Sequence, residues 1–140
     1  MKITLAVPCY NVAETLEPVL AGVASQSRQP DEVLVVDDGS TDGSGDLARE
    51  LGVRVVPHPE NLGLARARNT ALEQSLGEVV VFVDADAVPR PDLVDRLTRG
   101  YADPTLAGIS GQIMEPAQGS LADQWRGHFW RQTQGDAPLS

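Results

Sequence analysis

A single cysteine, Cys9, stands in the 140-residue chain, so no intramolecular disulfide can form and a reducing compartment is implied. Its small apolar side chain suits a buried position better than the role of a reactive thiol. No apolar run approaches the ~20 residues that a helix needs to cross a bilayer. Met1 and Lys2 lead straight into strand-like sequence, without the apolar stretch and cleavage site of a signal peptide. These absences predict a cytoplasmic chain, with any peripheral place at the membrane left to segments outside it. Basic residues are scarce as well, eleven Lys and Arg against twenty Asp and Glu, for a formal charge of −9. That balance argues against a nucleic-acid partner, which needs a basic footprint, and reads as a soluble surface. Neither G-x-G-x-x-G nor G-x-x-x-x-G-K-[ST] occurs, against a dinucleotide-binding dehydrogenase and against a P-loop kinase. Internal repeats, low-complexity tracts and linkers are missing too.

What is present suits one domain. The apolar content of 41% is below the usual globular range but well above the disordered class, and the length suffices for one core without disulfides or a structural metal. Apolar runs at Ile3 to Val7, Glu32 to Val36, Val53 to Val56 and Val79 to Val83 predict strands. The last is the most apolar stretch and is expected at the centre of a sheet. Between them, helical spacing predicts a helix capped by Asn11 and running to about Ser27, with Pro18 marking a later start or a kink. A short helix capped by Thr41 or Asp42 runs through Leu51, and another spans about Leu64 to Leu76. Beyond Asp86 the pattern predicts a helix from about Pro91 to Tyr101, a strand over Ala107 to Met114 and a helix over Ser120 to Gln132, the last carrying Leu121, Trp125, Phe129 and Trp130.

Strands alternating with helices indicate βαβ units and an open, doubly wound, mostly parallel α/β sheet. Ligands of such sheets sit beyond the carboxyl ends of strands, and the unusual polar residues cluster there, after the first, second and fourth strands. Asp84 and Asp86 follow the most apolar strand. Two carboxylates so placed repel each other unless a cation joins them, and hard oxygen ligands suit Mg²⁺ or Mn²⁺ completed by water and substrate phosphates. The competing reading is an acidic loop with Asp86 helping to cap the next helix. Asp37-Asp38-Gly39-Ser40 ends the second strand. There Asp38 can accept a hydrogen bond from a nucleobase imide N–H, while the segment also has plain turn chemistry. After the first strand Pro8 fixes the backbone and Tyr10 offers either a stacking face for a base or a core side chain. Arg66 and Arg68 lie near a helix start, where phosphate oxygens are favoured, although surface ion pairing would account for at least one of them. His58 and His128 lack triad-like or metal-like spacing and read as surface or packing residues.

Taken in order, Val7-Pro8-Cys9-Tyr10-Asn11, Val35 to Asp42, Asn61 to Asn69 and Phe82 to Asp86 resemble the family-two glycosyltransferases of the GT-A fold, a Rossmann-like nucleotide-diphospho-sugar transferase architecture. Each motif alone is modestly specific; the ordered set is strong. The resemblance spans about residues 1 to 114, a nucleotide-sugar-binding domain, with 115 to 140 an incomplete start of the acceptor side. It implies that Pro8, Tyr10 and Asp38 frame the nucleobase and that Arg66 or Arg68 approaches the diphosphate or base. It further implies that Asp84 binds near the ribose and metal, that Asp86 ligates the metal, and that Glu14 faces the nucleotide. The donor is expected to be a UDP-sugar, and the acceptor a saccharide or lipid-linked hydroxyl attacked with inversion. A homo-oligomer stays open. The acidic base that the family supplies from its acceptor half has no matching motif after Met114, so no catalytic base is assigned.

Two other readings stand beside this one. A sugar-phosphate nucleotidyltransferase would open with a Gly-rich loop, and Cys9-Tyr10-Asn11 contains no glycine. A non-catalytic nucleotide-binding or scaffolding module would explain the missing base and the tail with Trp125 and Trp130. A haloacid-type phosphatase places its D-x-D after the first strand, which excludes it here.

Overall fold

Apolar side chains that alternate between two covered faces build the sheet. In the computed structural model, which describes residues 1–101 and 108–109, four strands alternate with four helices. The strands are β1 (Ile3–Cys9), β2 (Glu32–Asp37), β3 (Arg54–Pro57) and β4 (Val79–Phe82). The helices are α1 (Ala13–Ala24), α2 (Ser44–Glu50), α3 (Leu64–Gln74) and α4 (Leu93–Gly100). The sheet is wholly parallel in the order β3-β2-β1-β4, with Cys9 opposite Asp37 and Ala6 opposite Phe82. The expected strand over Ala107 to Met114, the helix over Ser120 to Gln132 and His128 fall almost entirely outside the described residues. No helix among those residues is long and apolar enough to cross a membrane.

Every residue of β1 is buried, as befits a strand with helices on both faces. Ile3, Leu5, Val7 and Cys9 pack with Leu16, Val19 and Val23 of α1 and with Val94 of α4. On the opposite face Ala6, Leu34 and Val36 meet Ala67 and Ala71 of α3. The doubly wound α/β architecture expected from the alternation of elements is therefore present. β4 pairs with β1 alone among the described residues, and the expected strand that could flank its other side lies almost wholly outside them. Within that set Val81 is buried and the other residues of β4 are half-buried, while β1 and β2 hold the inner positions.

Helix starts depart from the local reading. Asn11 does not cap α1. It has a φ of 52°, in the left-handed region, and its Oδ1 accepts from the Thr41 N–H at 2.8 Å. The free N–H groups at the start of α1 are instead capped from across the sheet edge. Asn11, Val12 and Ala13 donate to Ser40 Oγ, Ser44 Oγ and Asp42 Oδ2 at 3.0, 2.9 and 2.9 Å. Neither Thr41 nor Asp42 is the N-cap of α2, which is Gly43 at a φ of 88°. Pro18 lies inside α1 on its exposed face and neither delays its start nor ends it. Pro18 has no N–H to donate to the Glu14 carbonyl, and both residues are exposed.

At the amino edge of the sheet Glu32 ties three segments together. It accepts from Thr4 Oγ1 at 2.6 Å, the Leu76 N–H at 2.8 Å and Arg54 Nη1 at 2.6 Å. Burial raises its pKa, but these donors outweigh that and hold it below the ordinary value. The chain passes so close here that a side chain at Gly77 would meet backbone: a Cβ would lie 2.5 Å from the Thr4 nitrogen and 3.0 Å from the Ile3 carbonyl carbon. Gly77→Ala is therefore expected to destabilise by about 1–3 kcal/mol, where an unobstructed Gly→Ala change stabilises. Urea denaturation checks the sign, and an unchanged or raised midpoint would refute the close approach.

Candidate functional site

Parallel pairing sends the carboxyl ends of all four strands to one edge. With β1 flanked by β2 on one side and β4 on the other, the strand order reverses direction between β1 and β4, where doubly wound sheets open a crevice. Tyr10, 45% exposed, follows β1, and Pro8, within the strand, is buried. Glu14 is exposed in the first turn of α1 and makes no ion pair among the described residues.

Beyond β4 the exposure alternates. Val83 and Ala85 are buried and Asp84 and Asp86 are exposed, so both carboxylates face solvent. The segment is anchored by Val83 N–H to the Ala6 carbonyl at 3.0 Å and by Thr15 Oγ1, which donates to the Ala85 carbonyl at 2.9 Å. Arg68 Nη2 donates to Asp84 Oδ1 at 3.0 Å, and its guanidinium carbon lies 6.0 Å from the Phe82 ring centroid. The Arg68 Nε is buried without a partner among the described residues. A buried orphan donor is costly and suits an anionic oxygen. Arg66 points elsewhere and pairs with Glu73 at 3.4 Å, so of the two arginines only Arg68 reaches Asp84.

Whether these residues suit a divalent cation depends on their oxygens. No group of three or more His, Cys, Asp or Glu side chains gathers around one point among the described residues. Asp84 and Asp86 are exposed hard-oxygen donors, and such a pair fits Mg²⁺ or Mn²⁺ that keeps waters and takes phosphate oxygens for the rest of its shell. His58 and Cys9 lie outside this set.

The loop after β2 is built differently. The Asp38 N–H donates to the Cys9 carbonyl at 2.9 Å, which seats the residue beside the end of β1. Its side chain is buried and accepts three hydrogen bonds: Oδ1 from Leu62 N–H at 3.0 Å and His58 Nδ1 at 2.6 Å, and Oδ2 from Gly63 N–H at 2.8 Å. Burial raises its pKa, but the His58, Leu62 and Gly63 donors outweigh it and hold the carboxyl below its usual range. A carboxylate offers about four acceptor positions, so roughly one remains on Oδ2. Gly39 makes the turn possible at a φ of 75°, since a Cβ there would lie 2.4 Å from the Glu60 carbonyl carbon. The acidic loop raises the Cys9 thiol as well: burial first, then Asp37, Asp42 and Asp38, push it to about 12, which makes it an inert packing group as its composition-based reading expected. A cleft of about 430 Å³ opens between Asp37, Ser40, Arg49, Pro57 and Pro59; neither Tyr10 nor Asp84 lines it.

His58 corrects the reading of its spacing. It is neither a surface nor a simple packing residue, because both ring nitrogens are bonded, Nδ1 to Asp38 and Nε2 to Thr70 Oγ1 at 2.9 Å. No sequence motif marks it; its position directly after β3, at the same edge as the other polar groups, was the available signal.

Fold and edge together define a doubly wound α/β domain of the nucleotide-handling class. The chain belongs to glycosyl transferase family 2, whose sequence profile matches residues 4–138. It is 40% identical over 100 residues to glycosyltransferase GlyA of Streptococcus pneumoniae, covering 69% of this chain and 14% of that protein. It is 32% identical over 132 residues to glycosyltransferase AglE of Haloferax volcanii, covering 88% and 43%. Among solved structures it is similar to the mannosyltransferase PcManGT from Pyrobaculum calidifontis, in complex with GDP-Man and Mn²⁺, with a TM-score of 0.71 and 37% identity over 75% of this chain and 33% of that one. Staphylococcus aureus TarS 1–349 in complex with UDP gives a TM-score of 0.66 and 28% identity over 84% and 39%. The fold is thus that of the GT-A glycosyltransferases, and the chain spans less than half the length of these relatives.

The Asp38 geometry yields a pH prediction with a definite sign. A carboxyl with a depressed folded pKa contributes stability that is present above the unfolded value and lost as pH falls through the folded one. Asp38→Asn is expected to cost about 1–3 kcal/mol at pH 7. The gap to wild type should begin to narrow below about pH 4 and close only as pH falls through the depressed folded value. Urea unfolding across that range measures it, and a gap that does not narrow on acidification would contradict the assignment.

Proposed function

We propose that the chain is the donor-binding half of a glycosyltransferase that moves a sugar from a nucleoside-diphosphate sugar to an acceptor hydroxyl, with a divalent cation and inversion of configuration. Residues 1–114 form the donor domain in this reading, and 115–140 open the acceptor side. The observation that carries it is the meeting of Arg68 with Asp84 at the β1/β4 switch point, with the arginine's Nε left without a partner among the described residues.

Each residue has a distinct task. Tyr10, set by Pro8, stacks on the base, and Asp38 accepts from the base N–H through its remaining Oδ2 position. Arg68 turns from Asp84 toward the diphosphate, with Arg66 and Glu14 at the margin of the nucleotide. Asp84 and Asp86 would hold Mg²⁺ or Mn²⁺, which when bound neutralises charge on the departing diphosphate. The acceptor hydroxyl gives up its proton to a base outside the residues assigned here, and its oxygen bonds to the anomeric carbon on the face opposite the breaking bond to the nucleoside diphosphate, which inverts the centre. PcManGT with GDP-Man and Mn²⁺, and TarS with UDP, support a nucleotide-sugar donor and a divalent ion. A UDP-sugar is the preferred donor, and a saccharide or lipid-linked hydroxyl the acceptor.

Calorimetric titration of UDP and GDP with and without Mn²⁺ tests the reading. Asp86→Ala, at an exposed position, should leave folding intact and weaken Mn²⁺-dependent binding at least about tenfold, a difference of roughly 1.4 kcal/mol. Chelation should do the same to wild type. Binding that survives both would remove the cation from the site.

A further inference from the structure

Asp38, His58 and Thr70 form a buried chain of hydrogen bonds across three elements. Their residues are 3% exposed for Asp38 and 7% for Thr70, and the His58 side chain is 8% exposed. Asp38 lies just after β2, His58 just after β3, and Thr70 in the middle of α3. The order of donors along the chain follows from the carboxylate. Asp38 is ionised and can only accept, so the 2.6 Å contact requires the His58 proton on Nδ1. In neutral His58 the other nitrogen then carries a lone pair, and at 2.9 Å the Thr70 hydroxyl donates to it. In the neutral ring both neighbours thus impose the same tautomer, and in either charge state the proton facing Asp38 is on Nδ1.

The consequence falls on Asp38. His58 and the Leu62 N–H together occupy both positions of Oδ1, and the Gly63 N–H occupies one of Oδ2. We infer that His58 is a positioning residue for base recognition: backed by Thr70, it fills Oδ1 of Asp38 and leaves Oδ2 as the acceptor offered to the donor's base. This rests on the donor-site reading above and adds to it a residue and a selectivity. A fixed acceptor favours bases whose ring edge carries an N–H, such as uracil and guanine. It disfavours cytosine and adenine, which present a lone pair at that edge. Without His58, Oδ1 regains a free position and the carboxylate can rotate or take water, so discrimination between the two base classes falls.

Calorimetry with UDP, GDP, CDP and ADP at saturating Mn²⁺ tests this on the chain as it stands. Wild type should bind the tighter of UDP and GDP at least about tenfold more strongly than CDP and ADP. His58→Leu should bring that nucleotide to within about threefold of CDP and ADP, while the response to Mn²⁺ is kept. His58→Asn, whose amide N–H stands where Nδ1–H stood, should restore most of the preference, which a merely space-filling role would not explain. Thr70→Val, nearly isosteric, should lower it in the same direction, and it carries the test if circular dichroism shows His58→Leu unfolded. An unchanged base ranking in the folded variants, or a wild type that does not rank the bases, overturns this inference alone. A folded wild type that binds none of the four nucleotides overturns the donor-site reading and this inference with it.

Discussion

The parallel pairing of β1 with both β2 and β4 is the constraint on which the rest of this structure depends. It buries a seven-residue strand completely and brings every carboxyl strand end to one edge. Inside the sheet the ladder satisfies the backbone; at the edge the ladder stops and new partners are needed. They are found between neighbouring strand ends, as in Asp38 N–H to the Cys9 carbonyl, His58 N–H to the Asp37 carbonyl and Val83 N–H to the Ala6 carbonyl. Loops tied to each other in this way can hold side chains at fixed positions over a crevice. Parallel topology therefore creates both the need for polar closure and the place where a ligand fits.

The acidic residues at that edge divide into two kinds. Asp42 is committed to protein donors and Asp38 nearly so, with about one acceptor position left on Oδ2, and both are held below the ordinary carboxyl range. For Asp42 the Ser44 hydroxyl is the main cause, with the Ala13 N–H next. These carboxylates do the work of helix caps and turn clamps. Asp84 and Asp86 remain exposed, with Arg68 the one protein cation bonded to either among the described residues. A carboxylate saturated by N–H groups stabilises the loop that presents it, whereas an unsaturated one keeps affinity for an external cation. The same edge so serves mainly as scaffold on the β2 side, where only the open Oδ2 position of Asp38 is left to a ligand, and as candidate binding surface on the β4 side.

Much of the architecture is legible in the sequence. The four apolar runs predict strands whose limits agree with β1 to β4 within a residue or two, and the ladder pairs them in parallel as the alternation with helices requires. The extent of α3 was readable from Gly63 and the periodicity that follows it. The start of α1 was not. Its caps are Ser40, Asp42 and Ser44, about thirty residues downstream, so the nearby Asn11 was the only visible candidate and it serves the facing loop instead. The apolarity of β4 predicts a strand with neighbours on both sides, and the described residues supply one of them, β1.

At the site the division is the same. Chain order alone placed Tyr10, Asp38, Asp84 and Asp86 after strands, because side-chain period and turn residues are local properties. Which of Arg66 and Arg68 meets Asp84, how many donors Asp38 already holds, and that His58 belongs to its circle were decided only by folding. Those contacts join residues 16 to 25 positions apart through strand order and helix rotation, and spacing along a chain carries no distance across a sheet.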